Sequence, residues 1–426
     1  MIYSMAHRIN QLSKRIVLLT SLSATLVLLS FHFHTEYLND SQKLTFRVQP
    51  DYALRELHKD FCWFHPRVAA IPGYGKKGKP AVIMTIQKHL AISDFYSGMY
   101  YMRTDDLGKT WTAPQEIPEL AWQYEADSTI VSVADVTPGW HERSNKLIAV
   151  GIKVRYNKKG GQLLDKPRSH DAAYAVFDPV TNQWTAWKMI AGIPDSNSKF
   201  YLVNPGCVQW LVKPNGNILL PVYFSQPNAD ESSVTVLECS FNGNTLTYLK
   251  HGDEMTVKGG RGFVEPSMAL FNNKYYLTLR NDFTAYVTTS DDGVHWLPFK
   301  EWTFDDGAKL GSYNTQAHWL SHSSGLFLTY TRSGANNDHI IRNRAPVFMA
   351  EVDPEKLQVI RSTEQILIPE RGAMLGNFGA AAITKNESWV TDAEFIVGGK
   401  PHEKGADGTV WTSRVLWSKK NKMSDY

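Results

Sequence analysis

The segment Thr289-Ser290-Asp291-Asp292-Gly293-Val294-His295-Trp296 reads T-x-D-x-G-x-x-W, and it decides the fold prediction. In such a segment an Asp carboxylate can accept hydrogen bonds from nearby backbone N–H groups, and Gly takes the left-handed conformation that a tight turn needs. The Trp side chain then packs the turn against its neighbours. An apolar stretch at 285–288 comes directly before it, so the segment predicts the tip of a β-hairpin.

A second copy of this turn stands earlier in the chain, at Thr104-Asp105-Asp106-Leu107-Gly108-Lys109-Thr110-Trp111, and it also follows an apolar stretch. Between 61 and 417 a unit recurs in which a short polar segment leads into an apolar strand, further strands and a hairpin turn. Six such units can be aligned, and helical periodicity is absent from them. The polar segments are His65-Pro66-Arg67, Asp127-Ser128, Asn204-Pro205-Gly206, Glu265-Pro266-Ser267, Asn314-Thr315-Gln316 and Asn377-Phe378-Gly379.

This repetition predicts an all-β protein, a six-bladed β-propeller with four-stranded antiparallel blades. The sixth unit ends near Trp417 without an outer strand, so a strand at 44–48 is expected to close the ring. A seven-bladed ring stays open, because the insertion at 157–168 blurs the repeat. Two stacked β-sandwiches are a weaker alternative, since they do not explain the repeated turn.

The composition is that of a globular protein, with 43% hydrophobic and 20% charged residues among 426. The 13 Trp, 19 Tyr and 19 Phe suit a β-rich fold and a sugar-binding protein, whose flat rings stack on sugars. A net charge of +3 gives no reason to expect a nucleic-acid partner. Cys62, Cys207 and Cys239 are too few for a disulfide framework and are interpreted as core thiols.

The N-terminus is interpreted as a targeting segment, because basic residues precede the apolar run 16–31. Residues 1–34 are predicted to be a signal peptide or an uncleaved signal anchor, 35–60 a linker with the ring-closing strand, and 61–420 the propeller. We therefore expect an exported protein, periplasmic, secreted or membrane-anchored through this segment alone. A monomer is the expected state.

The functional site of a propeller lies where the inner strands meet, so the polar residues at the aligned strand ends are the candidates for this site. The residues selected combine several cations with imidazoles and a Tyr. Because Arg grips carboxylates in bidentate fashion, the predicted ligand is an acidic sugar. The predicted catalytic residues are His65, His89, Tyr223 and Glu265, and the predicted substrate-binding residues are Arg67, Arg155, Asn204, Arg261, Arg280, Asn314, Gln316, His318 and Asn377.

Two further expectations concern the loops. The Gly-rich segment 259–263 is expected to be flexible and to bring Arg261 to the mouth of the channel. Asp338 and His339 could hold a cation, but adjacent residues rarely chelate alone, so no metal or other cofactor is predicted.

The two turns resemble the Asp boxes, or BNR repeats, of the sialidase superfamily, over roughly residues 61–417. This resemblance implies a propeller and frequently a carbohydrate-active enzyme, with the motif itself on an outer hairpin away from the site. Where sialidases carry an Arg-Ile-Pro motif, this chain has Phe64-His65-Pro66-Arg67. Tyr223 and Glu265 are conceivable counterparts of the sialidase Tyr–Glu pair, although no local motif identifies them.

The set of His, Tyr and Arg residues is also similar to that of ulvan lyases and related uronate-active propellers. That similarity implies β-elimination across C4–C5 of a uronate in an acidic poly- or oligosaccharide, by a lyase or a dehydratase. Two alternatives stay open: an exo-glycosidase of the sialidase type, and a non-catalytic propeller that only binds the glycan.

Overall fold

The computed structural model describes residues 43–90, 94–163, 171–194, 199–200, 202–226 and 228–423. The predicted targeting segment 1–34 lies outside these residues. The described chain contains no α-helix, so it has no helix that is long and apolar enough to cross a membrane. Its helical segments are single 3-10 turns at Lys76–Gly78, Pro118–Leu120, Glu142–Ser144, Ile341–Asn343 and Arg361–Thr363.

The strands form six sheets in chain order, which confirms the predicted six-bladed propeller. Long apolar strands such as Ala81–Leu90 are buried on both faces, as expected for sheets that pack between two neighbours. Blade 1 contains Phe61–Ile71, Ala81–Leu90, Tyr100–Thr104 and Gln115–Glu116. Blade 2 contains Gln123–Tyr124, Ile130–His141, Lys146–Tyr156, Ala172–Asp178, Gln183–Trp184 and Lys188–Met189.

The third and fourth blades follow the same order from the inside outward. Blade 3 has an inner strand in two pieces, and its strands are Leu202–Asn204, Leu211–Val212, Ile218–Ser225, Ser233–Phe241 and Leu246–His251. Blade 4 contains Val264–Phe271, Lys274–Arg280, Tyr286–Ser290 and Lys300–Glu301.

The last two blades depart from a simple four-stranded pattern. Blade 5 contains Thr303–Phe304, His318–His322, Gly325–Tyr330, Val347–Asp353, Gln358–Val359 and Gln365–Ile368. Its strand Thr303–Phe304 runs parallel to Gln358–Val359, whereas the other pairs within the blades are antiparallel. Blade 6 contains Gly379–Thr384, Glu387–Ala393 and Thr409–Trp417, completed by Phe46–Gln49 and Tyr52–Arg55.

The ring is closed by the N-terminal strand, which pairs with the last strand of blade 6 in the register Phe46 to Trp417. Buried apolar side chains fill the spaces between neighbouring sheets. Between blades 6 and 1, for example, Trp389 packs with Met84 and Met102. The core is therefore divided among the gaps between blades, while the inner strands are left free to present polar residues to the axis.

The two repeated turns have the chemistry that the sequence predicts, but they differ in length. In the first, Asp106 accepts bonds from the Thr110 N–H (2.9 Å) and from the hydroxyl groups of Thr110 (2.7 Å) and Thr104 (3.0 Å). Burial alone would raise the pKa of Asp106, but these bonds outweigh it and hold that pKa well below its usual range. Gly108 has a φ of 77°, and Trp111 packs against Trp389 of blade 6.

In the second turn the carboxylate that organises the backbone is Asp292, not Asp291 as the T-x-D reading of the motif implied. Asp292 accepts bonds from the N–H groups of Val294 (2.9 Å) and His295 (2.8 Å). Ser290, not Thr289, receives the Gly293 N–H at 2.8 Å, which is the role of Thr104 in the first turn. The second turn is thus one residue shorter between its hydroxyl residue and its Trp.

Candidate functional site

Five residues, one from each of blades 1 to 5, share a left-handed backbone conformation at the point where the inner strands are interrupted. In blades 1, 2 and 4 the strand pairing shifts there, between Phe64 and Arg67, Ala134 and Thr137, and Val264 and Ser267. Such bulges turn a side chain out of the sheet. Non-glycine residues rarely adopt positive φ, and strain of this kind concentrates at functional sites. The five are His65 (52°), Asp135 (57°), Cys207 (57°), Glu265 (44°) and Asn314 (48°).

The five residues with left-handed backbone form a polar column along the inner strands. Their positions differ from the sequence alignment in two blades. In blade 2 the inner strand extends to His141 and presents Asp135, where Asp127 had been aligned. In blade 3 the aligned residue is Cys207, whose N–H donates to the carbonyl of Asp135 at 3.0 Å. Asn204 stands three residues earlier, and its side chain accepts the Gly206 N–H at 2.7 Å within a local turn.

Glu265, Arg280 and Asn314 form the first polar cluster of the site. The guanidinium of Arg280 is buried; one of its terminal nitrogens donates to Glu265 and the other to the Asn314 side chain at 2.8 Å. Arg261 donates to the same Asn314 oxygen at 3.2 Å and is held by Asp282 at 2.8 Å. The expected flexible loop is therefore tied to its surroundings at Arg261.

Two other guanidinium groups in the site are buried with hydrogen-bonding capacity left over. Arg344 is 5% exposed; it donates to the Asn314 carbonyl at 2.6 Å, but its Nε has no partner among the described residues. Burial and the charge of Arg280 lower the pKa of Arg344 to about 10. Arg67 is 1% exposed, and none of its three nitrogens has a hydrogen-bond partner within the described chain.

A carboxylate in blade 6 lies close enough to Arg67 and Arg344 for their charges to affect its pKa. Asp392 is 1% exposed and accepts the N–H groups of Gly376 (2.7 Å) and Ala393 (2.8 Å). Its burial raises its pKa to about 7, although these two bonds and the charges of Arg67 and Arg344 act in the opposite direction. At neutral pH Asp392 is therefore only partly ionised and does not neutralise both guanidinium groups.

His65 and Asp135 form the second cluster, with 3.2 Å between the Nδ1 of His65 and a carboxylate oxygen of Asp135. Burial, reinforced by Arg67 and His89, lowers the pKa of His65 well below its usual value, so its imidazole is neutral at physiological pH. Burial and the neighbouring Glu265 raise the pKa of Asp135 to about 7. The pKa of Asp135 therefore lies near neutral pH, and beside it stands an unprotonated imidazole that can accept a proton.

Tyr223 lies close enough to Glu265 and Asp135 to feel their charges. Burial, followed by those two carboxylates, raises the pKa of Tyr223 well above its usual value. The sequence analysis identifies Tyr223 as a catalytic candidate, and to act as a base this phenol would need a neighbouring Arg or Lys that lowers its pKa. Its environment instead keeps the phenol protonated, so it is suited to donate a proton.

His65, Asp135 and Cys207 could in principle hold a metal ion, since one ligand atom from each lies within 4.8 Å of the other two. A cation there would have to share the space with Arg67, whose charge lowers the pKa values of all three groups. The Cys207 thiol is fully protonated near neutral pH, because burial raises its pKa well above the usual value. We therefore interpret the three residues as proton-transfer and packing groups.

The other predicted site residues are distributed between the site and its surroundings. Asn377 lies beside His65, and its hydrogen bond opposes the lowering of that pKa. His89 lies behind the site, its ring against Phe64, Tyr96 and Phe395. Arg155, in the strand Lys146–Tyr156 of blade 2, binds Glu125 at 2.6 Å.

Gln316 and His318 lie deeper, below the polar column. Both are at most 2% exposed, and His318 bonds the Ser267 hydroxyl at 2.8 Å. Burial and the charge of Arg67 lower the pKa of His318 to about 3. A cavity of about 680 Å³, lined by the inner strands, extends from Arg67 and His318 to Arg143 and Lys213 at the other end of the channel. Arg67 therefore separates the candidate site from the channel below it.

Four contributors to the site were not found from the sequence: Asp135, Cys207, Arg344 and Asp392. Asp135 did leave a signal, since it is a charged residue inside the apolar run 130–136. Arg344 comes from a loop of blade 5 whose path has no sequence pattern. Asp392 lies in the middle of a strand, and its electrostatic interaction with Arg67 and Arg344 depends on the closed ring.

No protein-family model and no curated protein matches the sequence. Solved structures do match it. A protein of unknown function from Dyadobacter fermentans DSM 18053 gives a TM-score of 0.57 at 15% identity, over 88% of this chain and 99% of that one. Phage phi92 endosialidase gives 0.55 at 11% identity, over 89% and 70% of the respective chains.

Trypanosoma rangeli sialidase, solved with the inhibitor DANA, gives a TM-score of 0.53 at 11% identity over 86% of this chain. This chain spans only 59% of that sialidase. The fold is therefore a sialidase-like six-bladed propeller, as the Asp boxes predicted. At such low identity the likeness establishes the fold, while the activity has to be argued from the site.

Proposed function

We propose that this protein is a carbohydrate-active enzyme whose substrate is an acidic glycan. The observation that carries the proposal is the pair of buried guanidinium groups, Arg67 and Arg344, which have donors without partners. Burying a cation without a matching anion is costly, so a carboxylate ligand would remove a penalty as well as form bonds. Arg grips a carboxylate with two parallel bonds, and a uronic or sialic acid offers that group.

We further propose that the reaction is β-elimination across C4–C5 of a uronate. Arg67 and Arg344 would neutralise the carboxylate, which makes the adjacent C5 proton more acidic. The neutral imidazole of His65, oriented by Asp135, would take that proton. The electron pair forms the C4–C5 double bond as the C4–O bond breaks, and the protonated Tyr223 would give its proton to the departing oxygen. Solvent exchange then returns the proton from His65 to Tyr223.

The experiment is to incubate the protein with uronate-containing oligosaccharides and to follow the ultraviolet absorbance of the conjugated double bond. A rise in absorbance that is lost in both His65→Ala and Tyr223→Phe supports elimination. Tyr223→Phe is the sharper variant, because it removes only the hydroxyl and keeps the ring. Turnover that survives both substitutions would refute the assigned roles.

Hydrolysis of a terminal acidic sugar is the second candidate, and the raised pKa of Asp135 favours it. A carboxyl that keeps its proton close to neutral pH can act as general acid, and Glu265, which is paired with Arg280, would be the second carboxyl of the reaction. Release of a free sugar without a rise in absorbance would support this reaction in place of elimination. Binding without any product would leave a glycan-binding propeller. An exported location, proposed from the N-terminal segment alone, would give access to extracellular glycans.

A further inference from the structure

Phe283 is the most exposed aromatic side chain among the described residues, at 72%. It lies in the loop between Lys274–Arg280 and Tyr286–Ser290 of blade 4, three residues after the buried Arg280. A single exposed apolar ring is common on protein surfaces. Phe283 is distinguished by its position, because its backbone is fixed by Asn281 and its neighbour Asp282 holds Arg261 of the candidate site.

The loop that carries Phe283 is held rigidly. Asn281 is 2% exposed, and its side-chain N–H groups donate to the carbonyls of Gly259 (3.0 Å) and Gly262 (2.8 Å). Its side-chain oxygen accepts the Phe283 N–H at 2.9 Å. One buried amide thus fixes the backbone of Phe283 to the neighbouring Gly-rich loop.

The ring itself lies against Gly259. A Cβ added to Gly259 would stand 3.3 Å from Cε2 and 3.7 Å from Cδ2 of Phe283, and Gly259 has a φ of 100° that other residues avoid. The absence of a side chain therefore lets the ring approach the loop closely on one side, while most of its surface stays open to solvent. The result is a fixed, flat apolar surface.

This surface borders the candidate site. Asp282, the residue before Phe283, holds Arg261 at 2.8 Å, and Arg261 reaches the Asn314 oxygen that Arg280 also binds. The Asn281 carbonyl accepts the Asn314 N–H at 2.9 Å. Arg261 and Phe283 therefore stand next to the cluster of Arg280 and Asn314, where a second sugar of a longer ligand has room to bind.

We propose that Phe283 is the stacking platform of a second sugar subsite, so that the protein recognises an oligosaccharide and not only a terminal acidic sugar. The proposal rests on the acidic-glycan ligand proposed above, but not on the reaction. The apolar C–H face of a pyranose would cover the open face of the ring, and the Arg261 guanidinium would bond a hydroxyl or carboxylate of the same sugar. Because the loop is already ordered, binding would cost little conformational entropy.

The test is to measure binding to an array of acidic and neutral oligosaccharides of graded length. For the wild type, affinity for acidic glycans should rise about tenfold when a second sugar is added, as expected for burying about 50 Å² of apolar surface. Phe283→Ala should lose this gain while keeping the affinity for the shortest ligand. Phe283→Trp should keep the gain, and Phe283→Leu, which is apolar but not flat, should recover little of it.

Val180→Ala is the matched control, since Val180 is 74% exposed on the outer turn of blade 2 and should behave as the wild type. The outcomes separate the two proposals. Length-dependent binding that requires Phe283, without turnover, supports the platform and refutes the enzymatic function. Turnover or binding with the same length dependence in Phe283→Ala overturns the platform alone. Failure of the wild type to bind any acidic glycan overturns both.

Discussion

Replacing Asp135 with Asn should make the protein relatively more stable as the pH rises. The folded structure raises the pKa of Asp135 from 3.8 to about 7, through burial and through Glu265, against the charge of Arg67. Ionising this carboxyl therefore opposes folding, and wild-type stability falls as the pH rises from 3.8 to about 7. Each tenfold change in acidity is about 1.4 kcal/mol, so the full effect is about 4 kcal/mol at most.

Between pH 5 and pH 8 the linkage relation assigns about 2 to 3 kcal/mol of this loss to Asp135, since the remainder occurs below pH 5. An Asn at this position cannot ionise and escapes the loss. Asp392, whose pKa is also raised to about 7, contributes with the same sign, but it is present in both proteins and cancels in the comparison. The contributions of the other titratable neighbours to the pH dependence also cancel where the substitution leaves their pKa values unchanged. These neighbours are His65, Asp94, Cys207 and Glu265.

The measurement is urea unfolding of the wild type and Asp135→Asn at pH 5 and pH 8. Asp178→Asn serves as control in the same blade, because Lys146 lowers the pKa of Asp178 and the group is ionised at both pH values. The stability of Asp135→Asn relative to wild type should increase by about 2 to 3 kcal/mol from pH 5 to pH 8, whereas that of Asp178→Asn should stay constant. An equal difference at both pH values for Asp135→Asn would show that this carboxyl is not held in the protonated form.

Three further predictions follow from individual contacts. In the second turn, Asp292→Ala should lower the free energy of unfolding by about 1 kcal/mol, because two backbone N–H groups lose their acceptor. Asp291→Ala should change it by less than about 0.5 kcal/mol. A larger effect of Asp291→Ala in urea unfolding would refute the assignment of Asp292 as the acceptor. Arg344→Met should weaken binding of acidic glycans by about tenfold or more, measured by calorimetric titration. It should cost little stability in thermal unfolding, because it removes a buried charge that Arg280 repels. A large loss of stability with unchanged affinity would contradict the assignment. Dialysis against EDTA should leave glycan turnover unchanged, because His65, Asp135 and Cys207 are assigned no metal ion. Loss of activity that returns with a divalent cation would show that they bind one.

The fold could be predicted from the sequence because its signals are local. The Asp106 turn contains its own acceptor, its own donors and the Trp that packs on the next blade, so the motif is readable wherever it occurs. Even there a local reading has limits, since Asp291 and Asp292 are both consistent with a turn and only the register of the hydrogen bonds distinguishes them.

The site was harder to predict because its members meet only when the ring closes. Cys207 lies 72 residues from Asp135 in the sequence, yet its N–H bonds the Asp135 carbonyl. The alignment placed Asn204 in the column because Asn-Pro-Gly resembles the polar segments of the other units. The left-handed backbone conformation instead occurs at Cys207. It follows a break in the inner strand, and no pattern of polar residues in the sequence indicates that break.

The hydrogen-bonded outer turns stabilise the sheets that hold the strained residues of the site in place. Five residues on or next to the inner strands have positive φ, Arg67, Arg344 and Asp392 are buried, and the pKa values of Asp135 and Asp392 are raised to about 7. Such a constellation persists only if the surrounding structure keeps it in place. The turns at Asp106 and Asp292, and the Trp side chains packed between blades, contribute that stability at the outer part of the sheets. Weakening an outer turn should therefore lower stability before it alters the chemistry, whereas relieving a strained group at the centre should do the opposite.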